Sequence, residues 1–98
     1  MRFRFKTSKL QALYTSERDA HKYPPEVVDA FFKVMARIRA ASDERDLYAL
    51  KALRYEKLSG SWAGYRSLRL NRQWRLVVSS DEDEEGRYLL IESIVDYH

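Results

Sequence analysis

The spacing of apolar residues changes once along this chain, close to Leu53. Upstream, Val28, Phe31, Met35 and Ile38 recur at three- and four-residue steps, and Phe32 widens the stripe. That is the period of a helix with one buried side. Downstream, apolar and polar residues alternate in short runs, the period of a strand with one buried face. A chain of 98 residues that uses both periods has room for one modest core. The expected fold class is α+β: a small, mostly antiparallel β-sheet with the N-terminal helices packed on one face, in a single domain over residues 1–98. Helices confined to one face leave the other face of the sheet for function.

The elements follow from local signals. Met1 to Lys6 alternates Phe3 and Phe5 with Arg2, Arg4 and Lys6, which predicts a strand. Thr7 and Ser8 are caps for a short helix that buries Leu10, Leu13 and Tyr14. Pro24-Pro25 opens the longest helix, expected from Pro25 to about Ala41, with Glu26 and Asp29 complementing its positive start. Ser42 is expected to cap a further short helix with Leu47 and Leu50 facing inward. Gly60 and Gly64 bracket a turn at Ser61-Trp62-Ala63. Strands are expected over Tyr65–Leu70, Trp74–Ser79 and Tyr88–Tyr97. In the first of these, Arg66, Leu68 and Leu70 alternate with Tyr65, Ser67 and Arg69. The acids Asp81 to Glu85, closed by Gly86, read as a solvated hairpin loop.

Net charge is only +3, but its distribution is uneven. From Lys51 to Arg75 there are seven basic residues and one acid, Glu56; from Asp81 to His98 there are seven acids and one base, Arg87. A segment near +6 therefore precedes one near −6. The basic half suits a polyanion partner. Without cysteine there is no disulfide, thiolate metal site or thiol nucleophile. The histidines, His21 and His98, do not make a metal motif, and no apolar run is long enough to span a bilayer. The opening Met-Arg-Phe-Arg-Phe-Lys has no apolar block, so the expectation is a cytoplasmic protein with no metal, no cofactor and no membrane partner.

Three residues distant in order have complementary chemistry. Glu56 is the lone carboxylate in the basic field and a candidate general base. Arg75, at the start of a strand, offers a planar fork of donors suited to phosphate. Strand propensity runs through Leu90, Ile91, Ile94 and Val95 into Asp96-Tyr97-His98, and a histidine held there can donate a proton to a leaving oxygen. Base, anion clamp and acid without metal match RNA cleavage in which the ribose 2′-hydroxyl attacks the adjacent phosphate.

The residues Lys57-Leu58-Ser59-Gly60, Gly64-Tyr65, Trp74-Arg75 and the ending Val95-Asp96-Tyr97-His98 resemble the HigB branch of the RelE/ParE toxin superfamily, over nearly the whole chain. The resemblance implies a RelE-like fold and a toxin of a type II toxin–antitoxin pair, an endoribonuclease that cleaves mRNA in the ribosomal A site. It implies that Arg75 stabilises the transition-state phosphate and that His98 is an acid or a substrate contact. Asp96 and Tyr97 would orient that end, with Tyr97 stacking on a base. At Glu56 the chain departs from the branch, which often has histidine there; the related YoeB toxins have glutamate. Lys51, Arg54, Lys57, Arg66, Arg69 and Arg72 would grip ribosomal RNA and message, contacts that give affinity but little sequence choice. A helix-turn-helix antitoxin of the HigA type is the implied protein partner. Two other readings share the fold: a ParE-like, non-enzymatic gyrase poison, and an RNA-binding module without catalysis.

Overall fold

A computed structural model describes residues 1–96. The chain runs β1 (Phe3–Phe5), α1 (Ser8–Ser16), α2 (Pro25–Ala40), α3 (Glu44–Ala49), β2 (Glu56–Lys57), β3 (Arg66–Arg69), β4 (Trp74–Asp83) and β5 (Gly86–Asp96), with single 3-10 turns at Ala20–Lys22, Lys51–Leu53 and Gly60–Trp62. The five strands form one sheet in the order β1-β5-β4-β3-β2. Only the β1–β5 pair is parallel, with Phe3 beside Leu89 and Phe5 beside Ile91. The α+β architecture and the mostly antiparallel sheet are as the change of period predicts.

The caps explain where the helices begin. The Thr7 hydroxyl accepts from the Leu10 amide at 3.3 Å. Pro25 stands in the first turn of α2, where its missing N–H leaves no orphan donor. Asp43, not Ser42, caps α3 by accepting from the Arg45 amide at 2.9 Å. A carboxylate at that position satisfies one helix-start amide and complements the dipole. Because α3 ends at Ala49, Leu50 falls beyond the helical face and is exposed rather than buried; Leu47 alone of that pair enters the core.

Val27, Phe31, Met35 and Ile38 of α2 are fully buried against Leu68, Leu76, Val78, Leu89 and Ile91 of the sheet. Val27 and Val34 extend the predicted stripe by one residue on each turn. Phe3, Phe5, Tyr14, Phe31 and Phe32 make a chain of ring contacts with centroids 5.3–6.4 Å apart, fastening β1 and α1 to α2. All of this packing lies on one face of the sheet.

Two details depart from the expected strands. The acidic segment is not a loop: β4 continues to Asp83 and β5 starts at Gly86, so only Glu84 and Glu85 turn the chain. Gly86, at φ 111°, supplies the positive φ that closes this short connection. Asp83 pays no penalty there, because Arg2 donates to it at 2.7 Å and Arg4 also pairs with it. Arg4 in turn lies 4.5 Å from the centroid of the Tyr88 ring. The second detail is a bulge in β5. Val77 pairs with Ser93 and Val78 with Ile91, leaving Glu92 as the extra residue. It lets both Ile91 and Ile94, three residues apart, face the helices. Glu92 accepts from the Ser79 hydroxyl at 2.8 Å.

Candidate active site

Residues directly opposite across a ladder share a face of the sheet. Leu68 opposes Leu76 on the helix side, so Ser67 with Val77 and Arg69 with Arg75 stand on the other side. β2 extends the same rows: Glu56 opposes Ser67, and Lys57 opposes Arg66. Glu56 thus lies on an edge strand, and the pairing places it on the helix-free face. Glu56 and Arg75 are two strands and one side-chain row apart. Strand spacing and rise place their Cα atoms about 12 Å from each other, a gap that two long side chains narrow from both ends.

The turn between β3 and β4 aligns the arginines. The Asn71 side-chain oxygen accepts from the amides of Gln73 at 2.9 Å and Trp74 at 2.8 Å, fixing the turn. The Asn71 carbonyl oxygen then accepts from Arg75 Nη1 at 2.7 Å and from Arg69 Nε at 3.3 Å. One backbone carbonyl therefore gathers two guanidinium groups at one end of the open face. Arg75 also donates to the Trp74 carbonyl at 3.1 Å.

The other predicted residues distribute unequally. Arg72 is exposed in the same turn as Asn71. Lys51 and Arg54 are exposed on the 3-10 turn that leads into β2. Lys57 is exposed at the sheet edge, in register with Arg66. Arg66 itself does not join the open face. It opposes Val78 on the helix side, its side chain is 18% exposed, and its Nε lies 3.4 Å from Glu44 Oε1. The alternation with Leu68 and Leu70 dictates this, and it sets Arg66 beside Glu44 and apart from Arg69 and Arg75. Asp96 is in register with Trp74, which packs against the core, and Gln73 Nε2 lies 3.5 Å from its carboxylate. Tyr97 and His98 lie outside the described residues.

Glu44 is the hub on the helix side. It accepts from the Tyr55 hydroxyl at 2.6 Å and faces Arg66. Burial and this donated bond hold the Tyr55 phenol neutral far above its ordinary range. Among the described residues no three His, Cys, Asp or Glu side chains stand together as a metal site, and no helix is long and apolar enough to cross a membrane.

The fold accords with what the chain is similar to. Residues 3–98 match the HigB-like toxins, described as the RelE-like toxin of the type II toxin–antitoxin system HigB. The chain belongs to this family. Toxin HigB-1 of Vibrio cholerae serotype O1 is 31% identical over 77 residues, 79% of this chain and 81% of that protein. Among solved structures, the YoeB/ParE toxin from Agrobacterium tumefaciens superposes with a TM-score of 0.58 at 18% identity, covering 100% of both chains. YafQ from Escherichia coli strain BL21(DE3) gives 0.58 at 16% identity, over 98% of this chain and 93% of that one. The toxin in the YoeB-YefM complex from Staphylococcus aureus gives 0.57 at 20% identity, over 100% and 97%. These structures share the fold of this HigB-like toxin.

Asn71 organises the turn between β3 and β4, a part that sequence reasoning did not assign it. Its signal was present in the turn sequence Asn71-Arg72-Gln73, since asparagine bonds its own backbone two residues on. Nothing in the sequence marks its carbonyl as the meeting point of Arg69 and Arg75.

Proposed function

We propose that this toxin is an endoribonuclease that cuts mRNA in the ribosomal A site and so halts translation. The observation that carries this reading is the presence of Glu56, Arg69 and Arg75 on one helix-free face, with both arginines gathered by Asn71. RNA supplies its own nucleophile. Glu56 takes the proton from the 2′-hydroxyl, whose oxygen attacks the adjacent phosphorus. The bond from phosphorus to the 5′-oxygen breaks, leaving a 2′,3′-cyclic phosphate. His98 returns a proton to the departing 5′-oxygen. Arg75, with Arg69 beside it, stabilises the charge that builds on the phosphate oxygens. Asp96 and Tyr97 orient the chain end. Lys51, Arg54, Lys57 and Arg72 add electrostatic hold on ribosomal RNA and message.

The partners are the ribosome with its A-site message and a neutralising antitoxin, a helix-turn-helix protein of the HigA type. The place of action is the cytoplasm, where ribosomes translate. Toeprinting on translating ribosomes tests the reading. The wild type gives A-site cuts; Arg75→Ala lowers the cutting rate about 10²–10³-fold, the usual loss for one transition-state donor. A variant lacking His98 falls by a similar factor. Undiminished cutting by both variants overturns the proposal.

A further inference from the structure

Trp62 is 42% exposed, one of three large apolar side chains left in solvent among the described residues. It belongs to the 3-10 turn Gly60–Trp62 between β2 and β3. Its place is fixed by backbone bonds on both sides. The Trp62 amide donates to the Ser59 carbonyl at 3.2 Å, and the Trp62 carbonyl accepts from the Tyr65 amide at 3.0 Å. Leu58 donates to the Tyr65 carbonyl at 2.9 Å, so the β2–β3 ladder continues one step beyond Lys57 and Arg66. By alternation Tyr65 stands on the same face as Ser67 and Arg69. The Trp62 ring meets the Tyr65 ring edge to face, with centroids 5.7 Å apart and planes at 81°.

The open face therefore carries a linear order along β3. The aromatic pair Trp62 and Tyr65 is at one end, Glu56 beside Ser67 is in the middle, and Arg69 with Arg75 is at the other. Each step is two residues of strand, about 7 Å. A ribonucleotide has the same order of parts: base, 2′-hydroxyl, then 3′-phosphate. An exposed indole braced by a second ring costs a folded protein solubility and contributes nothing to the core, whereas every nucleobase has a face that stacks on it.

We infer that Trp62, braced by Tyr65, is the stacking platform for the base of the nucleotide whose 2′-hydroxyl attacks. The inference rests on the endoribonuclease reading above and adds a positioning residue to it. Stacking is tolerant of base identity, so the platform sets the pose of the nucleotide rather than a strict sequence choice.

The test compares two messages on programmed ribosomes, one intact and one abasic at the nucleotide 5′ to the cut. On the intact message Trp62→Ala lowers kcat/KM about ten-fold, and Trp62→Phe retains most of the activity. On the abasic message Trp62→Ala and the wild type cut at equal, reduced rates. A Trp62→Ala protein that melts like the wild type but cuts the intact message just as fast overturns the inference. So does an equal loss on both messages, which marks a structural role. Arg75→Ala, run alongside, separates the two readings. If Arg75→Ala loses cutting about 10²–10³-fold while Trp62→Ala cuts the intact message at the wild-type rate, the platform is wrong and the nuclease stands. If Arg75→Ala and the variant lacking His98 both cut fully, the nuclease reading falls and takes the platform with it.

Discussion

Two arginines three residues apart in sequence, Arg66 and Arg69, have opposite destinies. Arg69 shares the Asn71 carbonyl with Arg75 on the open face, while Arg66 faces Glu44 beneath the helices. Arg66→Gln is expected to lower stability by about 1 kcal/mol and to leave the salt dependence of RNA binding unchanged. Arg69→Gln is expected to leave the melting temperature within a degree or two and to reduce the salt slope by about 0.7. Thermal melts and binding titrations at several salt concentrations check both. Asn71→Ala removes the side-chain acceptor for two turn amides, at about 1–2 kcal/mol. It also loosens the alignment of both arginines, so cleavage falls further than stability alone explains. Tyr55 titrates in a distinctive window. Its folded-state pKa is raised by burial and by the bond to Glu44, above the ordinary phenol value of 10.0. The associated stability is complete below pH 10 and is lost as pH climbs beyond it, because the unfolded phenol ionises first. Denaturant melts of the wild type and Tyr55→Phe between pH 8 and about 11 should converge as this contribution disappears.

Strands β4 and β5 carry two devices that sequence disguised. The run of acids looked like solvent-exposed loop, yet Asp83 is held in the ladder by Arg2 and Arg4 from the first strand. No local pattern links residues 2 and 83; only the parallel pairing of β1 with β5 brings them together. The Arg2 hydrogen bond holds the Asp83 carboxyl at a pKa of about 2, below the ordinary 3.8. This stabilisation is present above pH 3.8 and drains away as pH falls towards 2, a slope that Asp83→Asn should remove from acid-unfolding curves. The bulge was equally hidden: only the pairing of Val78 with Ile91 and of Leu76 with Ile94 puts both isoleucines on the helix side, with Glu92 stepping out between them. Deleting Glu92 restores regular alternation and should preserve a cooperative melt. Deleting Leu90 moves Leu89 to the wrong face and should abolish it. The start of α2, the sheet class and the presence of the three alternating strands were readable because each depends on neighbours within one element, whereas the α3 cap fell at Asp43 and not at Ser42. The edge pairing that turns Glu56 onto the open face, and the exclusion of Asp96's row from it, depend on register between elements.

At the level of the whole molecule, charge and shape are sorted by the sheet. Helices take one face and bury the aliphatic stripe of α2, and Phe31→Ala there should cost about 3–5 kcal/mol. The opposite face keeps Glu56, Arg69 and Arg75 together. The acidic hairpin, which in sequence seemed to balance the basic segment, is instead partly neutralised by Arg2 and Arg4.

The parallel pairing of β1 with β5 also orders events in time. Phe5 has no strand partner until Ile91 has been made and has emerged. Contacts of such long sequence separation slow folding, because the loop between them must close first. The β3–β4 hairpin that gathers the arginines is local, but the five-stranded sheet that seats it is complete only once the last strand has been made.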